Sequence, residues 1–305
     1  MSQLDVLVVG DLNPDIVLTG LESPAPRLGT EQFFDAMERT LGGSGALTAV
    51  TLARLGVRTA LVARVGDDEP AAFCRGILER EGVTPHLLVN PALATGVTIA
   101  LAYPADRMLL TSPGAIGDLA ADDVGDALLA QARHVHVSSY FMQARLRPGL
   151  AGLLKRARGL GLTTSIDTGW DPAERWLDDD LRAALTVTDF VLPNASELTH
   201  LGGEAALLQL GAGAIVLKDG ARGARYVAAA EQHSAPSFPV RAVDTTGAGD
   251  AFDAGFICAT LEQRSIVDRL RFANACGAVV VQVHGGAGGQ LTRKDFDDMY
   301  GRDSD

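Results

Sequence analysis

Short runs of Val, Ile and Leu alternate along the chain with longer, Ala- and Leu-rich segments whose apolar positions recur at helical spacing. That rhythm predicts βαβ units around a parallel sheet, because strands buried on both faces read as unbroken apolar runs. LDVLVVG (Leu4 to Gly10) reads as the first strand. ALTAVTLARLG, from Ala46 to Gly56, reads as a helix closed by a glycine, and TALVARVG reads as the next strand. A helical AAFCRGILEREG follows. HVHVSS (His134 to Ser139), LTTSID (Leu162 to Asp167), DFVLPN (Asp189 to Asn194) and AIVLKDG (Ala214 to Gly220) read as later strands, each behind a helical stretch. The fold class expected is α/β, a doubly wound, mostly parallel sheet flanked by helices, with ligands beyond the carboxyl ends of the strands.

Two stretches, about 15–38 and 95–112, break the rhythm. Segments such as GVTIALAY and RMLLTS alternate between turn residues without covering helices, which predicts a small antiparallel β lid. No linker, low-complexity tract or internal repeat divides the rest, so residues 1–305 read as one domain with the lid inserted.

Composition narrows the partners. A net charge of −12 argues against a broad nucleic-acid or anionic-membrane surface, since both need clustered Lys and Arg. No apolar run approaches the roughly 20 residues that span a bilayer. Cys74, Cys258 and Cys276 have neither metal-ligand spacing nor a disulfide-like count, and MSQLDVLVVGD lacks the parts of a signal peptide. These features lead to the expectation of a cytoplasmic protein.

The chemistry concentrates in VDTTGAGDAFDAGF, Val243 to Phe256. Thr246 can cap a helix whose first residues include Gly247, Ala248 and Gly249, leaving backbone N–H groups open to an anion. Asp250 then holds a carboxylate beside that site, an arrangement suited to phosphoryl transfer. By itself such a short string more often marks a tight loop whose acid favours the helix dipole. LGGSGALTAVTLARLG, Leu41 to Gly56, is neither a P-loop nor a dinucleotide fingerprint; it suits backbone approach to a polyol, or plain helix–strand packing. In PNASEL, Asn194 and Glu197 stand three apart, as in a metal-bound water site or a capped helix start.

Together with VVGDLNPD, RVGDDEPAAFCRGILEREGV and VLKDGARGA, these segments resemble, in order and register over nearly the whole chain, the ribokinase-like (pfkB) carbohydrate kinases. The resemblance implies an ATP- and Mg²⁺-dependent phosphotransferase acting on a hydroxyl of a sugar or sugar-like compound. It puts Asp250 at the catalytic base and the amides of Gly247, Ala248 and Gly249 at the anion hole. Asn13, Asp15, Gly42 and Gly43 match contacts to the sugar. Asn194 and Glu197 match the motif that organises Mg²⁺ and phosphate through water, while Lys218, Gly220, Gly223 and Asn274 fall where ATP is held. Asp244 and Thr246 resemble a monovalent-cation site, which allows K⁺, and related lids often pair into homodimers.

Four departures bear on the acceptor. Ser44 and Leu47 replace the Lys and Asn of ribokinase's GGKGANQA, and HVHVSSYFMQ lacks the glutamate of some sugar-specific members. Ala105, Asp106 and Arg107 replace a G-E-N turn, and KDG stands in place of a small residue, a leucine and glycine. Fewer polar groups favour a less hydroxylated acceptor, since an unpaired buried polar group costs about 1–3 kcal/mol. A nucleoside stacking on Phe33, Phe34, Tyr140 or Phe141 is the alternative substrate, and a ligand-binding protein without catalysis is the alternative of another class. A sugar phosphate is disfavoured, Arg107 and Arg145 being the only cations placed to meet it. His134 and His136 share a strand face and read as packing or solvent contacts, not as ligands.

Overall fold

The computed structural model describes residues 4–21, 28–103, 107–283 and 291–301. In chain order the strands are β1 (Val6–Val9), β2 (Asn13–Thr19), β3 (Ala36–Gly42), β4 (Thr59–Val65), β5 (Thr84–Val89), β6 (Val97–Ala102), β7 (Arg107–Ser112), β8 (His134–Val137), β9 (Thr163–Ile166), β10 (Phe190–Val191), β11 (Ala214–Lys218), β12 (Ala224–Ala228) and β13 (Gln232–Ala235). The helices are α1 (Ser44–Arg54), α2 (Glu69–Arg80), α3 (Asp126–Leu129), α4 (Arg147–Gly159), α5 (Asp179–Leu185), α6 (Ala195–His200), α7 (Glu204–Gln209), α8 (Ala248–Leu261), α9 (Ile266–Val280) and α10 (Arg293–Tyr300).

Nine strands form the main sheet in the order β13-β12-β11-β10-β9-β8-β1-β4-β5. Every pair from β11 to β5 is parallel, and β12 and β13 add an antiparallel edge. The apolar runs do what their pattern requires. On β1, Val6 and Val8 pack with Leu52 and Ile257 on one side, while Leu7 and Val9 pack with Leu150 and Leu153 on the other. A side chain of this size buried from water contributes about 1.5–3 kcal/mol, so each strand is fixed from both faces. The chain runs outward from β1 through β4 to β5 and returns on the far side at β8. The carboxyl end of β1 is therefore a topological switch point, where such sheets open a crevice.

The lid is a second sheet in the order β3-β2-β6-β7. Its outer pairs are antiparallel, but β2 and β6 are parallel, because both strands leave the main sheet from the same end. It also reaches further than 15–38: β2 begins at Asn13 and β3 continues to Gly42. By register, Ile99, Met108 and Leu110 share the face away from Asp15, and all three are exposed. Ala105 and Asp106 lie outside the described residues.

β5, β12 and β13 escape the sequence reading. TPHLLV at β5 is an edge strand of mostly intermediate burial, and QHSA at β13 carries polar side chains, so neither shows the buried-strand pattern. Helix α1 starts at Ser44, two residues before the expected Ala46. The three cysteines are buried and free; burial pushes the Cys74 and Cys258 thiols up to about 12, which suppresses the reactive thiolate. No helix among the described residues is long and apolar enough to cross a membrane.

Candidate active site

Helix α8 opens without a side-chain cap. Gly247 is its N-cap, at φ 75°, a left-handed conformation that glycine adopts without steric penalty. The expected cap, Thr246, is used otherwise: its N–H donates to Asp244 Oδ1 at 2.8 Å, closing a short turn. With no side chain over it, the helix start stays open to an anion, as its unpaired amides and dipole favour. One of the three expected donors is engaged, since the Ala248 N–H bonds Thr245 O at 3.3 Å.

Asp250 lies in the first turn and is only 8% exposed. Its carboxyl is pushed up to about 8, first by burial and then by the negative charge of Asp167, with Asp11 adding to the effect. Lys218 and the nearby Ser44 hydroxyl oppose the rise. The side chain is thus neither facing outward nor tied in an ion pair beneath the sheet.

Around it stands a group of buried charges. Lys218, at the end of β11, donates from Nζ to Asp253 Oδ2 at 3.0 Å and lies 3.4 Å from Asp167 Oδ2. Its ammonium is held charged, burial being outweighed by Asp167 and Asp253. Asp253 is fully buried, its carboxyl is raised well above the usual range chiefly by burial, and its Oδ1 has no partner. A Cβ on Gly249 would come 3.7 Å from Lys218 Nζ, so the lysine reaches the start of α8.

Asn13, Asp15, Gly42 and Gly43 come together where β2 and β3 leave the main sheet. Asn13 Nδ2 donates to Asp15 Oδ1 at 2.8 Å and to Thr98 Oγ1 at 3.2 Å, which orients both side chains. Asn13 pairs with Gly42 in the strand register. A Cβ on Gly42 would sit 2.0 Å from Asp15 Oδ1, so only glycine admits that carboxylate. Asp15 lines a cleft of about 970 Å³ with Thr40, Ala100, Leu109, Tyr103 and Thr246. Asp244 lines it as well.

Asn194 and Glu197 form a capping box on α6. Glu197 N–H donates to Asn194 Oδ1 at 2.9 Å, and both Glu197 oxygens accept from Asn194, from its N–H at 2.9 Å and its Nδ2 at 2.7 Å. The carboxyl is pushed up to about 7 by burial and by Asp167. No set of three or more His, Cys, Asp or Glu among the described residues forms a direct metal site. A carboxylate whose oxygens already serve the helix suits a hydrated cation held with a phosphate, and the surplus of negative charge beside Asp167 favours one.

A second cleft, of about 720 Å³, is lined by Lys218, Gly220, Gly223, Ala248, Gly249 and Asn274. Gly223 is at φ 98°, and a Cβ there would lie 2.1 Å from Ala235 O. Asn274 donates from Nδ2 to the carbonyls of Ala235 and Pro236 at 3.2 and 3.0 Å, tying α9 to the segment after β13. Ala242 and Thr245 line both clefts, which therefore meet immediately before α8.

Other expectations change. Tyr140 and Phe141 are buried in the core, Tyr140 donating to Asp178 Oδ1 at 2.8 Å, and they lie too deep to stack on a ligand. Phe33 and Phe34 are exposed and do not line the cleft beside Asp15; Tyr103 does. Arg145 pairs with Asp118 at 2.5 Å, and no described Lys or Arg lines that cleft. His134 and His136 are buried and both bond Ser165 Oγ, at 2.7 and 2.8 Å, so their role is packing without solvent contact. Asp11, Asp167 and Asp253 were missed; an acid within two residues of a strand's carboxyl end was the signal for the first two.

A doubly wound sheet with a β lid, and an open glycine turn between two clefts, make the scaffold of a small-molecule phosphotransferase. The chain belongs to the pfkB family of carbohydrate kinases, whose model, "pfkB family carbohydrate kinase", matches residues 3–293. It is 32% identical over 293 residues to the "ATP-dependent ribose-1-phosphate kinase" of Halopiger xanaduensis, covering 90% of each chain. It is 28% identical over 300 residues to the ribokinase of Bacillus subtilis, covering 97% of this chain and 99% of that one. Among solved structures, a putative ribokinase II from E. coli in complex with ATP and Mg²⁺ matches with a TM-score of 0.84 at 25% identity, covering 97% of this chain and 98% of that one. The protein is an ATP-dependent carbohydrate kinase.

Proposed function

We propose that the chain moves the γ-phosphoryl group of ATP to a hydroxyl, in the first instance a primary one, of a sugar or sugar-like acceptor. One observation carries the reading: two clefts meet at Ala242 and Thr245, and the next helix turn holds the buried Asp250 carboxyl. In this reading the triphosphate occupies the cleft of Lys218, Gly220, Gly223 and Asn274. The acceptor occupies the cleft that Asp15 lines, with Asn13 behind it holding the Asp15 carboxylate and with Gly42 and Gly43 where β3 ends, and the lid closes it. Asp250 takes the proton of the acceptor hydroxyl as its oxygen bonds to the γ-phosphorus, and the bond from that phosphorus to the ADP oxygen breaks. The amides of Gly247 and Gly249, at the dipole end of α8, hold the charge on the moving group, and that of Ala248 joins them once it leaves Thr245 O. Excluding water lets the positioned alcohol compete with it.

Mg²⁺, held through water by Glu197 with Asp167 nearby, would neutralise triphosphate charge. Asp244 and Thr246 are the residues for a monovalent cation such as K⁺, whose role would be to order the turn before α8.

The test is turnover. Asp250→Asn is expected to lower kcat by about 10²–10⁴-fold while ATP protects the variant against thermal unfolding as it does the parent. Full turnover in that variant sinks the reading.

The acceptor cleft lacks a described cation, which favours an uncharged acceptor. The relative named as a ribose-1-phosphate kinase supports the second reading, a phosphorylated sugar. Coupled ADP release against sugars, ribose 1-phosphate and nucleosides separates these, and ligand binding with no release from any of them would favour the non-catalytic alternative.

The exposed lid face of Ile99, Met108 and Leu110 supports pairing with a second copy as a homodimer in the cytoplasm. A monomeric mass by light scattering at micromolar concentration rejects that assembly.

A further inference from the structure

Lys218 stands where the cleft of Gly220, Gly223 and Asn274 reaches the first turn of α8. Two acids fix its ammonium, Asp253 Oδ2 at 3.0 Å and Asp167 Oδ2 at 3.4 Å. An ammonium carries three N–H donors, and no other oxygen among the described residues accepts from this one. One donor therefore remains for a ligand. The lysine side chain is 11% exposed and lines the cleft, whereas Asp253 is fully buried, so the open side of the ammonium is the cleft side. A Cβ on Gly249 would lie 3.7 Å from Nζ and 4.0 Å from Cδ, which puts the lysine against the helix start itself. Asp253 follows Asp250 by three residues and shares its face of α8. The ammonium and the carboxyl of Asp250 thus serve one end of one helix.

Stability does not call for this trio. A buried ion pair is commonly no better than apolar side chains of the same volume, and here Asp253 Oδ1 is left without a partner among the described residues. What the acids achieve is position. A lysine stem is flexible, yet this one is held at a single place beside Gly249, where its charge meets an anion without reorganising.

We propose that Lys218 is a catalytic residue of the transfer step: its remaining N–H donates to an oxygen of the γ-phosphoryl group as that group passes from ADP to the acceptor, and Asp253 and Asp167 position it. The proposal rests on the reading of the two clefts as nucleotide and acceptor sites. The acceptor oxygen forms its bond to the γ-phosphorus, its proton goes to Asp250, and the electron pair of the breaking bond leaves on the ADP oxygen. Lys218 keeps its own protons throughout. Its contribution is a fixed positive charge beside the amides of Gly247 and Gly249, and the loss of one such donor lowers a rate by about 10²–10³-fold.

The experiment sets turnover against stability in the full chain. Lys218→Met should lower the urea midpoint, because two buried acids lose their cation. Combining it with Asp253→Leu replaces the pair by apolar side chains and should recover most of that midpoint. With Mg-ATP and the best acceptor of the panel, the kcat of this double variant should nevertheless stay about 10²-fold below wild type, with the KM for the acceptor within about threefold. Recovery of kcat together with stability would reduce Lys218 to a structural counter-ion and overturn the proposal. So would a raised KM for ATP at wild-type kcat, the mark of a contact made equally before and during transfer. If the double variant does not fold, Lys218→Arg decides. Its charge is kept but its forked head cannot occupy the same point beside Gly249, so kcat should fall about tenfold or more, and wild-type kcat overturns the proposal. Full turnover in Asp250→Asn overturns the base reading instead and leaves the Lys218 comparison standing.

Discussion

The two clefts that meet before α8 are built differently. The side proposed for the nucleotide stands on the main sheet and its covering helices, lined by small residues such as Gly220, Ala248, Gly249 and Ala278. Its shape is enforced sterically, because a Cβ on Gly223 has nowhere to go. The side proposed for the acceptor is shared between the main domain and the lid, and polar side chains there orient each other, as Asn13 is oriented by Asp15 and Thr98. Rigid backbone geometry suits a ligand common to a whole family. Side-chain hydrogen bonds carried on a separate sheet suit a ligand that varies, because changing a few lid residues leaves the catalytic turn untouched.

The largest effect that tests this contrast lies where the clefts share charge. Lys218→Met leaves Asp167 and Asp253 buried without their cation, and is expected to cost about 3–5 kcal/mol at pH 8. The loss should shrink at pH 5, where those acids take up protons. Denaturant unfolding at the two values measures it, and a loss independent of pH contradicts the picture of Lys218 as counter-ion.

A smaller effect separates the two sides directly. Asn13→Ala should raise the KM for the acceptor about tenfold, the equivalent of about 1.4 kcal/mol, with the KM for ATP unchanged. An equal rise in both constants would mean that the clefts do not act separately.

Subtler still is the slope of stability against pH. Asp250 has a folded-state pKa of about 8 against 3.8 for the free side chain, so the folded protein keeps a proton that the unfolded chain releases. Its contribution is complete below about pH 4 and is lost as pH rises toward 8. The ligand-free protein should therefore melt earlier as pH climbs from 5 to 8, and Asp250→Asn should remove up to about 1.4 kcal/mol per pH unit of that slope. Parallel slopes in the two proteins would place Asp250 in contact with water.

Legibility in the sequence followed the same division. Gly247, Gly249 and Asp250 were readable because an open helix start beside an acid leaves a local string, and Asn194 with Glu197 because a capping box spans only three residues. The role of Thr246 as cap was misread, since a glycine in the left-handed region serves a helix start that must remain uncovered. Tyr140 and Phe141 were misplaced because an aromatic after a strand carries no mark of which way it packs.

By itself the sequence determined the alternation of strands and helices, the lid as an interruption, and the glycine turns, all of which rest on periodicity or on the conformational freedom of single residues. Only the tertiary structure decided that Asp11, Asp167, Lys218 and Asp253 converge on Asp250, and that Asp11 caps a helix 33 positions away. Burial and charge proximity depend on distances between segments remote in the chain, and those distances exist only once the parallel sheet has brought the ends of β1, β9 and β11 to one edge.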